Sequence, residues 1–172
     1  MVAHTIREPH ESKETTLGTL RKRFAAIFTS KGSDCRDSFW QVAHIVSGLS
    51  ERQRLDLIRD GFDITFLVAT REAFGVSKTI AAEIACISTV TYDRMAKNKR
   101  PLGQAASERL DRLAQVAVIA EEVFEDKELA TKWMSTPNRS LGDEPPLALC
   151  GTELGARQVR RVLHAIEWGG VA

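Results

Sequence analysis

Apolar residues recur at three- and four-residue steps along most of the chain, the spacing that gathers them on one face of an α-helix. After a polar stretch at 1–15, read as a mobile arm, Leu17, Leu20, Phe24, Ile27 and Phe28 form the first such stripe. Lys31-Gly32-Ser33-Asp34 breaks it. Asp37 or Ser38 is placed to cap a second helix bearing Phe39, Val42, Val46 and Leu49. Ser50 with Gln53 three residues on has capping-box spacing and opens a short helix ending near Gly61. Ile64 to Phe74 follows, with Gly75 as its stop.

Ser77 then caps Lys78 to Ala85, a tight turn occupies Cys86-Ile87-Ser88, and the next helix runs from about Thr89 to Lys97. The longest periodic run, Gln104 to Phe124, holds Leu110, Leu113, Val116, Ala117, Ala120 and Phe124. A charged joint at 125–128 leads to a short helix with Leu129 and Trp133. A loop stiffened by Pro137, Gly142, Pro145 and Pro146 precedes the final helix, which carries Leu154, Val159, Val162, Leu163 and Ile166 and ends at Gly169-Gly170. The fold class is all-α. A short strand at 147–150 is the alternative, because short apolar runs suit either element.

Composition narrows the function. The chain has 172 residues, 24 Lys+Arg against 23 Asp+Glu, and a net charge of +1, so bulk charge alone does not hold it to nucleic acid. No stretch has the ~18 uninterrupted apolar residues of a membrane span, and the polar start lacks the apolar core of a signal peptide. Cys35, Cys86 and Cys150 are far apart and odd in number, which fits reduced cytoplasmic thiols better than a disulfide framework or zinc site. His4, His10, His44 and His164 have no ligand spacing, and His44 reads as a partly buried structural residue. The acidic run Glu121-Glu122…Glu125-Asp126 reads as solvated. No catalytic constellation can be assembled, so no enzymatic role, metal or cofactor is expected.

Residues 78–97 carry the packing pattern of a helix-turn-helix. Ala81 and Ala85 face inward, Ala82 sits at the close approach of the two helices, Ile87 plugs the turn, and Tyr92 and Met95 face back. Ser88, Thr89, Val90, Asp93, Arg94 and Lys97 lie outward on the second helix, whose N-terminal end would enter the major groove. Ser88, Thr89 and Arg94 can donate to base edges, Val90 can meet a thymine methyl, and Asp93 can accept from a cytosine amine. Lys97, Lys99 and Arg100 would reach phosphates. Over 78–100, five basic residues face two acidic ones, a local balance of +3. Cys86 stands where such turns usually carry Gly, so a left-handed backbone there would cost roughly 1 kcal/mol.

Trp133, Pro137-Asn138, Leu141-Gly142, Pro145 and Leu147, with Thr152, Gly155, the Val159/Leu163 pair and Ile166-Glu167-Trp168-Gly169, resemble the signature of the Xre/MbcA/ParS antitoxins. Upstream, Arg59-Asp60-Gly61, Phe74-Gly75-Val76-Ser77, the helix-turn-helix and Ser107-Glu108-Arg109-Leu110 are similar to that family's DNA-binding part. The resemblance covers about 61–171. Beside the helical N-terminal region at 16–60, read from its own pattern and available for dimerisation, it implies an Xre-like helix-turn-helix domain at 61–103 and a toxin-binding domain at 104–172. It further implies two tasks: occluding the active site of a cognate toxin, in many systems a RES-domain enzyme that consumes NAD, and repressing the operon as an operator-bound homodimer. Asn138, Arg139, Leu141, Arg157, Arg160, Arg161, His164, Trp168 and Gly169 are the implied toxin contacts. The arginines and His164 are expected along one side of the last helix as a basic strip, with Trp133 and Leu141 serving mainly as core. The dimer face is expected on the 104–124 helix or on the helices of 17–49. A stand-alone helix-turn-helix regulator whose C-terminal domain only dimerises is the alternative.

Overall fold

In the computed structural model, which describes residues 13–29 and 35–169, helices account for the regular structure and no strand occurs among the described residues. α1 (Lys13–Thr29) and α2 (Cys35–Ser47) precede α3 (Glu51–Asp60), α4 (Ile64–Phe74), α5 (Lys78–Ile84) and α6 (Thr89–Asn98). α7 (Gln104–Phe124) and α8 (Lys127–Ser135) lead through a 3₁₀ turn at Arg139–Leu141 to α9 (Pro146–Leu149) and α10 (Glu153–Glu167). The expected break at 31–34 and residues 1–12 of the expected arm lie outside the described residues, while 13–15 open α1.

Local chemistry sets most boundaries. At α3 both halves of the capping box form, Gln53 N–H donating to Ser50 Oγ and Ser50 N–H to Gln53 Oε1. Asp63, Ser77 and Ser88 cap α4, α5 and α6 through their side chains, and Gly75 ends α4 at φ 62. One expectation is corrected. α2 begins at Cys35, so Asp37 and Ser38 lie inside it, Asp37 in its first turn. The all-α reading holds where a strand was the alternative: Pro146–Leu149 is helical, Pro145 and Pro146 set the φ of a first helical turn, and Leu147 points into the core.

α2, α4 and α7 form the centre. Phe39 of α2 stacks on Phe66 at 5.7 Å and meets Phe74 edge-on at 5.0 Å. Leu110, Leu113, Val116, Ala117 and Ala120 of α7 are fully covered. α7 packs against α2, α3, α8 and α10, so the helix expected as one dimer face is an internal strut.

Two links place the elements that matter for function. Leu102 N–H donates to Phe62 O at 2.8 Å, and Phe62 N–H donates to the buried Ser107 hydroxyl at 3.0 Å, tying the end of α6 to the start of α4 and to α7. Gly61, at φ 90, accepts this approach because a Cβ there would fall 2.3 Å from Leu102 O. Across the molecule, Arg54 of α3 grips Asp111 of α7 with two bonds of 2.9 and 2.5 Å, and the hydrogen bond to Asp111 raises the Arg54 pKa. His44 is more exposed than expected. It reaches from the rim of α2 to Glu121 of α7 at 2.8 Å. Glu121 is thus partnered rather than simply solvated, and Asp126 caps α8.

Candidate functional site

α5 and α6 cross as the two helices of a helix-turn-helix. Ala81, Ala82 and Ala85 are buried at the crossing, and Tyr92 closes it from the second helix. The Tyr92 hydroxyl is buried with no partner among the described residues, and burial raises its pKa. Cys86 adopts φ 54, the left-handed conformation foreseen for a turn that usually carries Gly.

On the outer face the candidate residues divide by what their side chains already do. The Ser88 hydroxyl is committed: it accepts from Thr91 N–H at 3.1 Å and donates to Thr91 Oγ1 at 2.9 Å. Asp93 is also committed, held by Lys78 Nζ at 2.8 and 3.0 Å. Lys78 was counted for charge but not singled out as a site residue, and only the fold brings it beside Asp93. The pair offsets the negative charge that Asp93 brings to this face. Val90 is 75% exposed with no apolar cover, and Arg94, Lys97 and Arg100 are exposed. Thr89 is half-buried at the start of α6, and Lys99, in the left-handed region at φ 48, caps the end of that helix. Ile80, on the first helix, adds 40% exposed apolar surface that the sequence reading missed.

The second candidate region is built on the loop before α9. Asn138 accepts from Ser140 N–H at 2.8 Å through its side chain, and its N–H donates to Glu144 O at 3.2 Å. Gly142 turns the chain at φ 72. Leu141 is buried, as expected, whereas Trp133 is half-buried against Phe124 at 5.6 Å. Arg139 is exposed at the tip.

On α10 the expected basic strip is not uniform. Arg160 is half-buried and ion-paired to Glu153, which also binds Arg112 of α7 at 3.1 Å. Arg160 is therefore occupied within the chain, and the strip loses its central member. His164 sits 3.4 Å from Glu167. Arg157 and Arg161 are exposed. The exposed face of α10 is better described by a stripe at four- and three-residue steps: Leu154, Gln158, Arg161, Ala165 and Trp168. Its ends are apolar, with Leu154 60% and Trp168 85% exposed. About 21 Å separates them at helical rise. Exposed tryptophan is the side chain most enriched among residues that dominate protein interfaces. Gly169 follows at φ 75. Leu154, Gln158 and Ala165 were not among the expected contacts, although plotting α10 around its axis would have found them.

The loop and α10 are held to the rest by Arg109 and Arg112. Arg109 Nε donates to Gly151 O at 3.1 Å, and Arg112 reaches Cys150 O at 3.3 Å. Among the described residues no group of His, Cys, Asp and Glu could hold a metal, and no helix is long and apolar enough to cross a membrane.

Comparison with known proteins agrees with this geometry. Residues 53–115 match the antitoxin Xre-like helix-turn-helix domain, and residues 120–169 match the antitoxin Xre/MbcA/ParS C-terminal toxin-binding domain. The chain is 31% identical over 112 residues to an antitoxin Xre of Pseudomonas putida, covering 65% of this chain and 69% of that one. It is 29% identical over 117 residues to an antitoxin Xre of Photorhabdus laumondii, covering 67% and 79%. It is 27% identical over 128 residues to a Sphingobium protein named Prs ADP-ribosylating antitoxin, covering 69% and 80%. These families are antitoxins and regulators rather than enzymes. With its α5–α6 pair and its α8–α10 module in the matching places, the chain belongs to the Xre/MbcA/ParS family of antitoxins.

Proposed function

We propose that this antitoxin neutralises a RES-type, NAD-consuming toxin by laying α10 and its terminal turn over the entrance to the toxin's active site. The observation that carries this reading is the exposed stripe of α10 ending in Trp168, 85% exposed within the part of the chain that matches a toxin-binding domain. The name of one relative, Prs ADP-ribosylating antitoxin, supports this reading, because ADP-ribosylation consumes NAD. Occlusion needs no catalytic group on the antitoxin.

The same molecule represses its own operon by inserting the start of α6 into the operator's major groove. Thr89, Val90 and Arg94 read bases, while Lys97, Lys99 and Arg100 hold phosphates. Ser88 caps the helix and Asp93 is neutralised by Lys78, so neither carries specificity. An operator with two-fold symmetry calls for a homodimer in the cytoplasm. With α7 buried, the helices of 17–49 remain for it, and the half-buried Phe28 of α1 and the exposed Pro101 border a groove there beside Lys99.

The test is co-expression with the neighbouring open reading frame. The full-length chain is expected to restore growth and to co-purify with the toxin in a complex sized by light scattering. Removal of 168–172 is expected to release toxicity while the helical circular dichroism spectrum persists. Continued protection by the truncated chain would refute occlusion by the C-terminal turn.

A further inference from the structure

The turn at Arg139–Leu141 and the middle of α10 face each other across an open cleft of about 590 Å³. Its floor is apolar, made by the buried Leu141 and the half-buried Val162, with the exposed Ala165 at its edge. Its rim is Ser140, Gln158 and Arg161, and none of these three side chains makes a hydrogen bond or ion pair among the described residues. One residue earlier, Arg160 is tied down by Glu153, and His164 sits beside Glu167. The polar side chains of α10 thus divide into those occupied within the chain and those left over, and Gln158 and Arg161 of the left-over group border the cleft. Gly142 leaves its wall open, since a Cβ there would meet nothing within 4 Å. The cleft also joins the exposed stripe of α10, because Gln158, Arg161 and Ala165 belong to both.

We propose that this cleft is a pocket of the toxin interface, and that it receives one aliphatic or aromatic side chain of the toxin with a carboxylate beside it. The proposal rests on the toxin-binding reading above and deepens it, because it places a contact away from the terminal turn. The apolar floor fits a hydrocarbon side chain, whose burial supplies the binding energy. The unpaired guanidinium of Arg161 selects an acidic neighbour, and its planar fork suits a carboxylate. Arg139 and Arg157, both exposed, strengthen the positive field on this side, against Asp143 and Glu144 in the loop. A second copy of this chain is a poor occupant, because a two-fold axis through the cleft would set Arg161 against its own equivalent.

The test is calorimetric titration of the full-length chain with its co-purifying toxin. Ala165→Tyr fills the cleft from an exposed position, and Gln158→Tyr fills it from the other side. Both tyrosine variants are expected to lose at least ~10-fold in affinity while keeping the wild-type helical spectrum and duplex binding. Arg161→Glu is expected to lose more than Arg161→Ala. Wild-type affinity in both tyrosine variants would overturn the pocket while leaving toxin binding intact. So would a change of oligomeric state without a change in toxin affinity. A wild-type chain that binds no toxin would overturn the parent reading itself.

Discussion

At the scale of single residues, close backbone approach governs more than side-chain identity. Gly155 is buried where α10 passes α9, and a Cβ there would fall 2.2 Å from Leu149 O, a backbone atom that cannot swing aside. Gly155→Ala is therefore expected to cost about 2–3 kcal/mol in urea unfolding, far beyond the small gain in helix propensity. A stability equal to wild type would show that the two helices slide apart freely. The cysteines make a second residue-scale case. Burial pushes the Cys150 thiol from 9.0 up to about 12, whereas Cys86 is exposed. Because the folded-state value is the higher one, the stability it contributes is complete below about pH 9. It is lost progressively as pH rises from there towards 12. Mass spectrometry after iodoacetamide at pH 8 should find Cys86 modified and Cys150 intact until the chain unfolds.

At the scale of elements, α6 is positioned by its neighbours as much as by its own residues. Ser88 caps it and Lys78 holds Asp93, so under the proposed operator binding the candidate reading groups reduce to Thr89, Val90 and Arg94. Arg94→Ala is expected to weaken operator binding about tenfold, the loss of one good base contact, with toxin neutralisation unchanged. An unaltered gel shift would remove Arg94 from the reading face. The α3–α7 tie behaves differently. Asp111 is buried and its partner Arg54 mostly so. Asp111→Ala leaves a guanidinium without its carboxylate, at a cost of roughly 3 kcal/mol, read as a lower unfolding midpoint. Asp111→Asn should recover part of that by keeping one hydrogen bond.

At the scale of the whole molecule, α7 joins the two functional ends. It receives the HTH through Ser107 and α5, and it receives α10 through Arg109 and Arg112. α9 touches both α5 and α10. The near-zero net charge is a cancellation between local surfaces: a basic recognition segment, acidic residues spent in His44–Glu121 and in the α8 cap, and free arginines on α10. Each surface meets its partner locally, so the total of +1 predicts neither contact.

Residue order alone determined the helices, most of their ends and the two motifs, because caps, glycine stops and apolar periodicity act over four residues or fewer. Ser50 with Gln53, Gly75 and Ser88 are legible for that reason, and so is the left-handed Cys86. What only the tertiary structure decided are pairings between residues distant in sequence. Lys78 is set on Asp93, Arg54 on Asp111 and Arg112 on Glu153, and these decide which candidate side chains remain free to meet a partner. The Arg160–Glu153 pair withdraws Arg160 from the basic strip, and packing against α2, α3, α8 and α10 buries α7, one of the two candidate dimer faces. The physical reason is one of range. Backbone capping is settled by neighbours in the chain, whereas the state of a charged side chain is settled by whichever opposite charge the packed core brings within about 3 Å.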